Sequence, residues 1–374
     1  MRQEQGVRDQ AIQHIELIEL TAVEEAQRVM TICNACRYCE GLCATFQAMT
    51  KRRTFAPGDL DYLANLCHNC TACFHDCQYA APHQFDINVP RSLARLRADS
   101  YQRAAGVYVT SGWWLSVLIG ASLGVLLLLG VWLIDAQALW SAHTGPGAFY
   151  AIVPHNWMVA VAGTTFLAAL VWIALSLRRF GRSLGPSPGY ALSDWRSAVH
   201  HAVTLKQLDG GHGDGCPEQM DVTSNRRRVY HHLTLWGFLL CFAATSVATL
   251  YHYLLDWPAP YPLLSLPVIL GTVGGVGLLI GPIGLHRVRQ QLDPATVDAA
   301  QGGAASALIW QLFWVSLTGL VLLALRDTTW MGLLLLIHLG FVLGLFLTLP
   351  ISKFAHGAYR FVALLRFAQE RDRA

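Results

Sequence analysis

The chain has 374 residues, of which 53% are hydrophobic and only 14% are charged. Soluble domains carry about 25% charged residues, so this composition excludes an ordinary soluble enzyme. The formal net charge of +3 is too small, and the basic residues are too scattered, to indicate nucleic-acid binding. Eight of the ten cysteines lie between Cys33 and Cys77, whereas long apolar segments begin after residue 110. The sequence therefore predicts a cysteine-rich domain over residues 1–105 and a membrane domain over residues 106–374.

The first seventeen residues mix charged and apolar side chains, including Arg2, Glu4, Arg8 and Glu16. A signal peptide needs an apolar stretch and a cleavage site, so no signal peptide is predicted. The first segment that is apolar enough to insert into a membrane begins near Ser111, and the residues before it are expected to fold in the cytoplasm. In that compartment, dense cysteines favour metal binding over disulfide formation.

Two runs of four cysteines share the spacing C-x2-C-x2-C-x3-C. In two-cluster ferredoxins, the first three cysteines of such a run bind one [4Fe-4S] cluster and the fourth binds the other cluster. The sequence therefore predicts two [4Fe-4S] clusters. The expected ligands of cluster 1 are Cys33, Cys36, Cys39 and Cys77, and those of cluster 2 are Cys67, Cys70, Cys73 and Cys43.

The cysteine runs depart from the ferredoxin pattern at one point. Ala44 and Gln78 stand where a proline usually follows the fourth cysteine. The alternatives to clusters are a pair of zinc sites or a disulfide knot, but zinc sites usually come as two separated C-x2-C pairs. Two further cysteines fall outside the runs: Cys241 is expected to pack inside a membrane span, and Cys216 to lie in a glycine-rich loop without ligand partners.

From Ser111 onwards, the chain contains six apolar segments that are long enough for helices crossing a hydrocarbon core of about 30 Å. None of them contains Asp, Glu, Lys or Arg. Lys and Arg concentrate in alternate flanking regions, which places both termini and the loop 178–232 in the cytoplasm. We expect a multi-pass protein of the inner (cytoplasmic) membrane. The predicted spans are 112–134, 157–177, 233–255, 263–285, 308–325 and 330–351.

Histidines mark both ends of two predicted spans. His338 lies inside the sixth span, and His356 follows 18 residues later, which is five helical turns if the helix continues. The third span has His231 and His232 at its cytoplasmic start and His252 near its outer end. Because these two helices run antiparallel, either of the first two can meet His356 on the inner side. On the outer side, His252 can meet His338.

Paired imidazoles across a helix bundle are ligands of b-type haem, so this pattern predicts one or two haems. The alternatives are histidines that tolerate lipid headgroups and a buried His338 bonded to a neighbouring hydroxyl group. His286, at the inner end of the fourth span, is a reserve ligand. The histidines expected to be solvated in loops are His143, His155, His200 and His201.

Longer strings around these residues are more specific than the cysteine spacing. In the first domain they are residues 32–41, 62–70, 77–80 and 82–83. In the membrane half they are residues 227–228, 231–232, 251–253, 271–272 and 353–357. On these strings, and over nearly its whole length, the chain resembles the membrane iron-sulfur proteins of tricarballylate and citrate utilisation.

The resemblance implies an electron-transfer partner of a soluble FAD-dependent tricarballylate dehydrogenase. Such a protein would reoxidise the reduced flavin of its partner through iron-sulfur centres and haem, and deliver the electrons to membrane quinone. The expected fold is mainly α, with a helical ferredoxin-like domain followed by a six-helix bundle similar to cytochrome b and to the nitrate-reductase gamma subunit.

Two other functions fit the same sequence features. One is a subunit of a heterodisulfide-reductase-like or nitrate-reductase-like membrane complex. The other is a redox-sensing transporter, but transporters usually have broken helices or ionisable residues near the membrane midplane. Apart from His338, the predicted spans offer little of either.

Overall fold

The computed structural model describes residues 20–372 except residues 212, 214, 220 and 221. The prediction that no signal peptide is present concerns residues 1–17 and lies outside the described residues. Helices make up most of the described chain, which confirms the mainly α fold. The strands among the described residues form a short antiparallel hairpin, β1 (Cys216–Gln219) and β2 (Val222–Ser224).

The cysteine-rich domain is built from short helices whose ends position the cysteines. Thr21 and Glu24 cap the first helix through a reciprocal capping box. That helix ends where Arg37 adopts a left-handed conformation with φ of 58°, so the chain turns sharply between Cys36 and Cys39. The helices are α1 (Ala22–Cys36), α2 (Ala44–Met49), α3 (Pro57–Leu66), α4 (Ala72–His75) and α5 (Val89–Ala105).

Six helices of the described chain are long and apolar enough to cross a membrane. This finding confirms the predicted six-helix architecture and indicates a multi-pass membrane protein. A short helix, α7 (Ala136–Leu139), follows the first of them. The six are α6 (Gly112–Leu133), α8 (His155–Ser183), α10 (Arg226–Leu255), α11 (Leu266–Gln290), α12 (Gly302–Leu325) and α13 (Met331–Thr348).

The last predicted span does not continue as far as His356. Helix α13 ends at Thr348, and His356 begins a separate helix, α14 (His356–Asp372). Pro350 explains the break, because proline has no backbone N–H and its ring clashes with the preceding turn. The condition under which His338 and His356 would share a helix face, a helix that continues between them, is therefore not met.

The cysteine-rich domain packs against one end of the membrane bundle through α14, the end of α8 and the helix α9 (Leu192–Val203). One buried core contains Met30 and Leu63 of the first domain together with Phe180 of α8 and Tyr359 of α14. The ring of Tyr359 stacks on that of Tyr101, with ring centroids 4.4 Å apart. This shared core fixes the cysteines relative to the bundle.

Candidate functional site

The four cysteines predicted for cluster 1 line one cavity at the surface of the cysteine-rich domain. Cys33 and Cys36 lie at the end of α1, Cys39 lies in the following turn, and Cys77 comes after α4. The cavity measures about 420 Å³ including its opening to solvent. Cys36 is exposed, and Tyr38 beside it is 72% exposed. This cavity is therefore accessible from outside the protein.

The four cysteines predicted for cluster 2 line a second cavity of about 420 Å³. Asn69 and Thr71, between Cys67 and Cys73, have positive φ angles of 57° and 71°, so the backbone wraps around this space. The backbone N–H of Asn69 donates to Cys67 Sγ at 3.4 Å. Hydrogen bonds of this kind to cluster sulfurs raise the reduction potential of iron-sulfur centres. The lining of the two cavities has Phe46, Cys73 and Val89 in common, which makes the cavities direct neighbours.

Within the described residues, the thiols are not spaced for a single metal ion. In the described part of the chain, no group of three His, Cys, Asp or Glu side chains could hold one metal ion. A tetrahedral zinc ion with Zn–S bonds of about 2.3 Å brings its sulfur ligands to within about 4 Å of each other. A cubane cluster binds each thiolate at a different iron and so needs more widely spaced sulfurs. No disulfide joins the ten cysteines, and the two ligand sets stay predictions.

Burial controls the ionisation of these thiols. Together with the neighbouring thiols, it raises the pKa of Cys33, Cys39 and Cys43 to about 12. These groups are therefore protonated at neutral pH unless a metal binds. Metal binding requires the thiolate form and releases the protons, so iron would supply the positive charge that this buried site lacks.

A loop from the membrane half covers the second cavity. Gln207 accepts a hydrogen bond from the backbone N–H of Ala44 at 3.0 Å. Gly211, with φ of 89°, packs so closely that a Cβ atom would lie 2.5 Å from the carbonyl oxygen of Leu42. The buried Cys216 contacts Cys70 and is hydrogen-bonded to it. The expectation that Cys216 has no partner among the ligands is wrong, and no spacing in the sequence connects these two residues.

A third cavity, the inner cavity, lies where the cysteine-rich domain meets the bundle and measures about 1180 Å³ including its opening to solvent. His68 and Asn69 line both this cavity and the cluster 2 cavity. His231 of α10 and His356 of α14 also line the inner cavity, with ring centroids 6.2 Å apart and ring planes at 65°. The structure therefore brings together the predicted inner pair of histidines.

The separation of this pair fits two histidines that would together hold one haem iron. Two imidazoles bonded at about 2.0–2.1 Å on opposite sides of a metal ion have ring centroids about 6 Å apart. His356 Nδ1 lies 2.6 Å from the carbonyl oxygen of Lys353. It carries the proton there, which leaves Nε2 free, as in metal-bound histidines. Burial and the nearby Arg360 lower the pKa of His356 well below its usual value, so the ring is neutral and able to bind iron.

The other inner histidines lie outside the inner cavity. Among the described lining residues of that cavity, His231 is present and His232 is not. The reserve ligand His286 packs against the ring of Trp310 with centroids 5.2 Å apart. Helix periodicity mildly favours His231 over His232 as the partner of His356, and the lining of the inner cavity also favours His231.

The predicted outer pair does not meet. His338 Nδ1 is 3.2 Å from the hydroxyl of Thr318, which was the alternative interpretation of this residue. His252 stacks on His155 with ring centroids 3.8 Å apart, too close for a metal ion between the rings. His155 begins α8 and His201 is buried, so the expectation that both are solvated loop residues is wrong.

Positive charge surrounds the inner cavity. Arg227 donates to the carbonyl oxygens of Asn69 at 2.6 Å and His68 at 3.2 Å. Arg97 and Arg360 both donate to the carbonyl oxygen of Cys67, at 2.7 and 2.6 Å. Burial and four nearby arginines lower the pKa of Lys353 to about 7. Arg97, Arg227 and Arg360 thus bind the backbone of the second cysteine run and also line the adjoining cavity.

Comparison with known proteins places both halves of the chain in one family. Residues 26–103 match the family model described as "Citrate utilization protein B Fer4-like domain", and residues 111–374 match "Citrate utilization protein B". The chain is 47% identical to citrate utilization protein B of Escherichia coli over 352 residues, 93% of each chain. No solved structure matches it. With both family models matched in order and a curated relative aligned almost end to end, this iron-sulfur membrane protein belongs to the citrate utilization protein B family.

Proposed function

We propose that the chain reoxidises the reduced flavin of a soluble tricarballylate or related tricarboxylate dehydrogenase and passes the electrons to membrane quinone. Two [4Fe-4S] clusters and a b-type haem would supply the one-electron chemistry. The observation that carries the proposal is the succession of three cavities, in which each shares lining residues with the next. Such a series connects the protein surface to the membrane bundle.

The order of the cavities gives the proposed direction of electron transfer. The cluster 1 cavity opens to solvent at Cys36 and Tyr38, where a soluble donor can approach. The cluster 2 cavity is covered by Gln207 and Gly210, which limit access of water. His68 and Asn69 then separate this cavity from the inner one. The described residues thus hold the cysteines, shield the second site and set its distance from His231 and His356.

The orientation in the membrane is also part of the proposal. We place the chain in the inner membrane with its cysteine-rich domain and both termini in the cytoplasm. Arg179 of α8 donates to the carbonyl oxygen of Ala104, and Arg227 of α10 donates to that of Asn69. Basic residues therefore concentrate at the bundle end that carries the cysteine-rich domain. Short basic flanks of this kind stay on the cytoplasmic side.

The function can be tested with the full chain in proteoliposomes, a purified FAD-dependent tricarballylate dehydrogenase, tricarballylate and a quinone analogue. We expect Cys33→Ser to lose the low-temperature EPR signal of cluster 1 and most of the substrate-dependent quinone reduction, because serine is a poor substitute for a thiolate ligand. The matched control is Cys241→Ser, since Cys241 lies in α10 outside both runs and should keep both properties.

Retention of full quinone reduction by the Cys33→Ser variant would remove cluster 1 from the route. Failure of the wild-type protein to accept electrons from the dehydrogenase would overturn the proposed partner. If the flavoprotein reduced the clusters without any reduction of quinone, the proposed acceptor would be wrong.

A further inference from the structure

The inner cavity contains more positive charge than its walls balance. Asp298 is the one carboxylate among its described lining residues, and its oxygens accept from Gln301 Nε2 at 2.6 Å and from the N–H of Ala300 at 3.3 Å. It is therefore held within its own turn. The cationic side chains that line the cavity are Arg97, Arg227, Arg289, Arg360 and Lys353.

The hydrogen bonds that fix these arginines do not neutralise them. Arg97, Arg227 and Arg360 donate to backbone carbonyl oxygens of residues 64–69, and carbonyl groups carry no net charge. None of the three forms a salt bridge within the described part of the chain. Charges of one sign gathered in a partly buried space are unfavourable without a counter-charge. An anionic ligand in the cavity would supply this counter-charge.

Two histidines in the same cavity indicate that this ligand contains a metal centre. His231 and His356 line the same cavity with ring centroids 6.2 Å apart, and His231 Nδ1 is buried without a hydrogen-bond partner. A ligand that satisfies all of these groups combines a metal centre with negative charge at its edge. An iron porphyrin with two carboxylates has that chemistry, and arginine is the side chain best suited to bind carboxylates with paired hydrogen bonds.

We propose that the cationic side chains of the inner cavity form the binding site for the two carboxylates of a haem held by His231 and His356. This inference rests on the proposed function, because it assumes that haem is present. The cations have two effects on a bound haem. They anchor its carboxylates, and they raise its reduction potential because positive charge favours the added electron.

Arg289 and Lys353 allow the site to be tested without disturbing the cysteines. Neither side chain donates to the carbonyl oxygens of the second cysteine run, in contrast to the other three cations. Arg287 provides a matched control, since it lies two residues from Arg289 on α11 and is exposed. The variants are Arg289→Gln/Lys353→Gln and Arg287→Gln in the full-length purified chain.

The measurements are extracted haem per chain, the haem midpoint potential by optical redox titration, and cluster content by EPR. In the double variant we expect haem loss or a haem midpoint potential that is lower by at least 59 mV. This shift corresponds to a tenfold lower ratio of reduced to oxidised haem at a fixed potential. Cluster signals should be unchanged, and Arg287→Gln should match wild type. A double variant with wild-type haem content and midpoint would overturn the inference, as would an equal effect of Arg287→Gln.

A second measurement asks whether the carboxylates themselves are recognised. Full-length chain produced in a haem-deficient host is titrated with haem and with haem dimethyl ester, which lacks the two negative charges. We expect wild type to prefer haem at least tenfold and the double variant to lose that preference. Equal binding of the two compounds by wild type would contradict a carboxylate site.

Anionic phospholipid headgroups share this anion chemistry, and the same variants distinguish the two sources. Bound phospholipid per chain is measured after exchange into vesicles of phosphatidylcholine with or without phosphatidylglycerol. If the double variant loses bound anionic lipid while its haem content and midpoint stay at wild-type values, the cations serve a lipid and the inference fails. If wild type itself contains no haem, the haem part of the proposed function fails together with this inference.

Discussion

At the scale of single residues, the second cysteine run depends on contacts from distant parts of the chain. Arg97, Arg227 and Arg360 hold its backbone, and Cys216 is hydrogen-bonded to Cys70. The spacing of the cysteines was enough to predict which thiols share a cavity, because three ligands of each set are local. The partners of those ligands come from other elements, and nothing in their local sequence indicates the contact.

The contact of Cys216 with Cys70 leads to a prediction about cluster 2. Once a metal replaces the proton of Cys70, the thiol of Cys216 can donate to that ligand sulfur and stabilise the reduced cluster. Cys216→Ala should therefore lower the midpoint potential. A hydrogen bond contributes about 0.5–1.5 kcal/mol, which equals about 20–65 mV for one electron. An EPR redox titration measures this shift, with Cys241→Ala as the control. An unchanged cluster 2 midpoint in Cys216→Ala would show that the contact has no effect on the cluster.

At the scale of elements, hydropathy was sufficient to predict the six spans because a membrane helix must be apolar for about 20 residues. It did not predict the break after Thr348, since the average over a window hides a single residue such as Pro350. Because of that break, His356 lies on α14, next to His231. In an unbroken helix, His356 would instead lie on the same face as His338. The pairing of His231 with His356 therefore depends on the break after Thr348.

Glycines of α10 and α11 bring these two membrane helices into close contact. A Cβ atom at Gly274 would lie 2.7 Å from the carbonyl oxygen of Gly237 and 2.9 Å from Cys241 Sγ. We therefore expect Gly274→Ala to lower the free energy of unfolding by about 1–3 kcal/mol through overpacking. The measurement is the thermal unfolding temperature in detergent, which should fall. Gly163→Ala on α8 is the control, because a Cβ atom there would meet only a side-chain carbon of Val159, 4.0 Å away. Equal unfolding temperatures for the two variants would contradict tight packing at Gly274.

At the scale of the whole molecule, the two halves are joined by a mixture of apolar core and ion pairs. Arg52 binds Asp59 at 2.6 Å and Glu370 of α14 at 2.7 Å. Burial alone would raise the pKa of Glu370, but hydrogen bonds from Arg52 and Arg366 lower this pKa below its usual value. This network ties α14, and with it His356, to the cysteine-rich domain. Composition was enough to distinguish the membrane part from the cysteine-rich part. It could not predict how the two parts meet to form the inner cavity, because the lining residues come from distant positions in the sequence.

We propose that iron-sulfur clusters and a haem occupy neighbouring sites in one chain. The decisive test is the absorption spectrum of the purified protein, dithionite-reduced minus air-oxidised, with haem and non-haem iron quantified per chain. We predict about eight non-haem irons for two cubane clusters and one low-spin b-type haem. His356→Ala should lose the haem and keep the clusters, and His232→Ala should keep both. Full cluster content without haem in the wild-type protein would contradict the account, because electrons would then have to leave the clusters without passing His231 and His356.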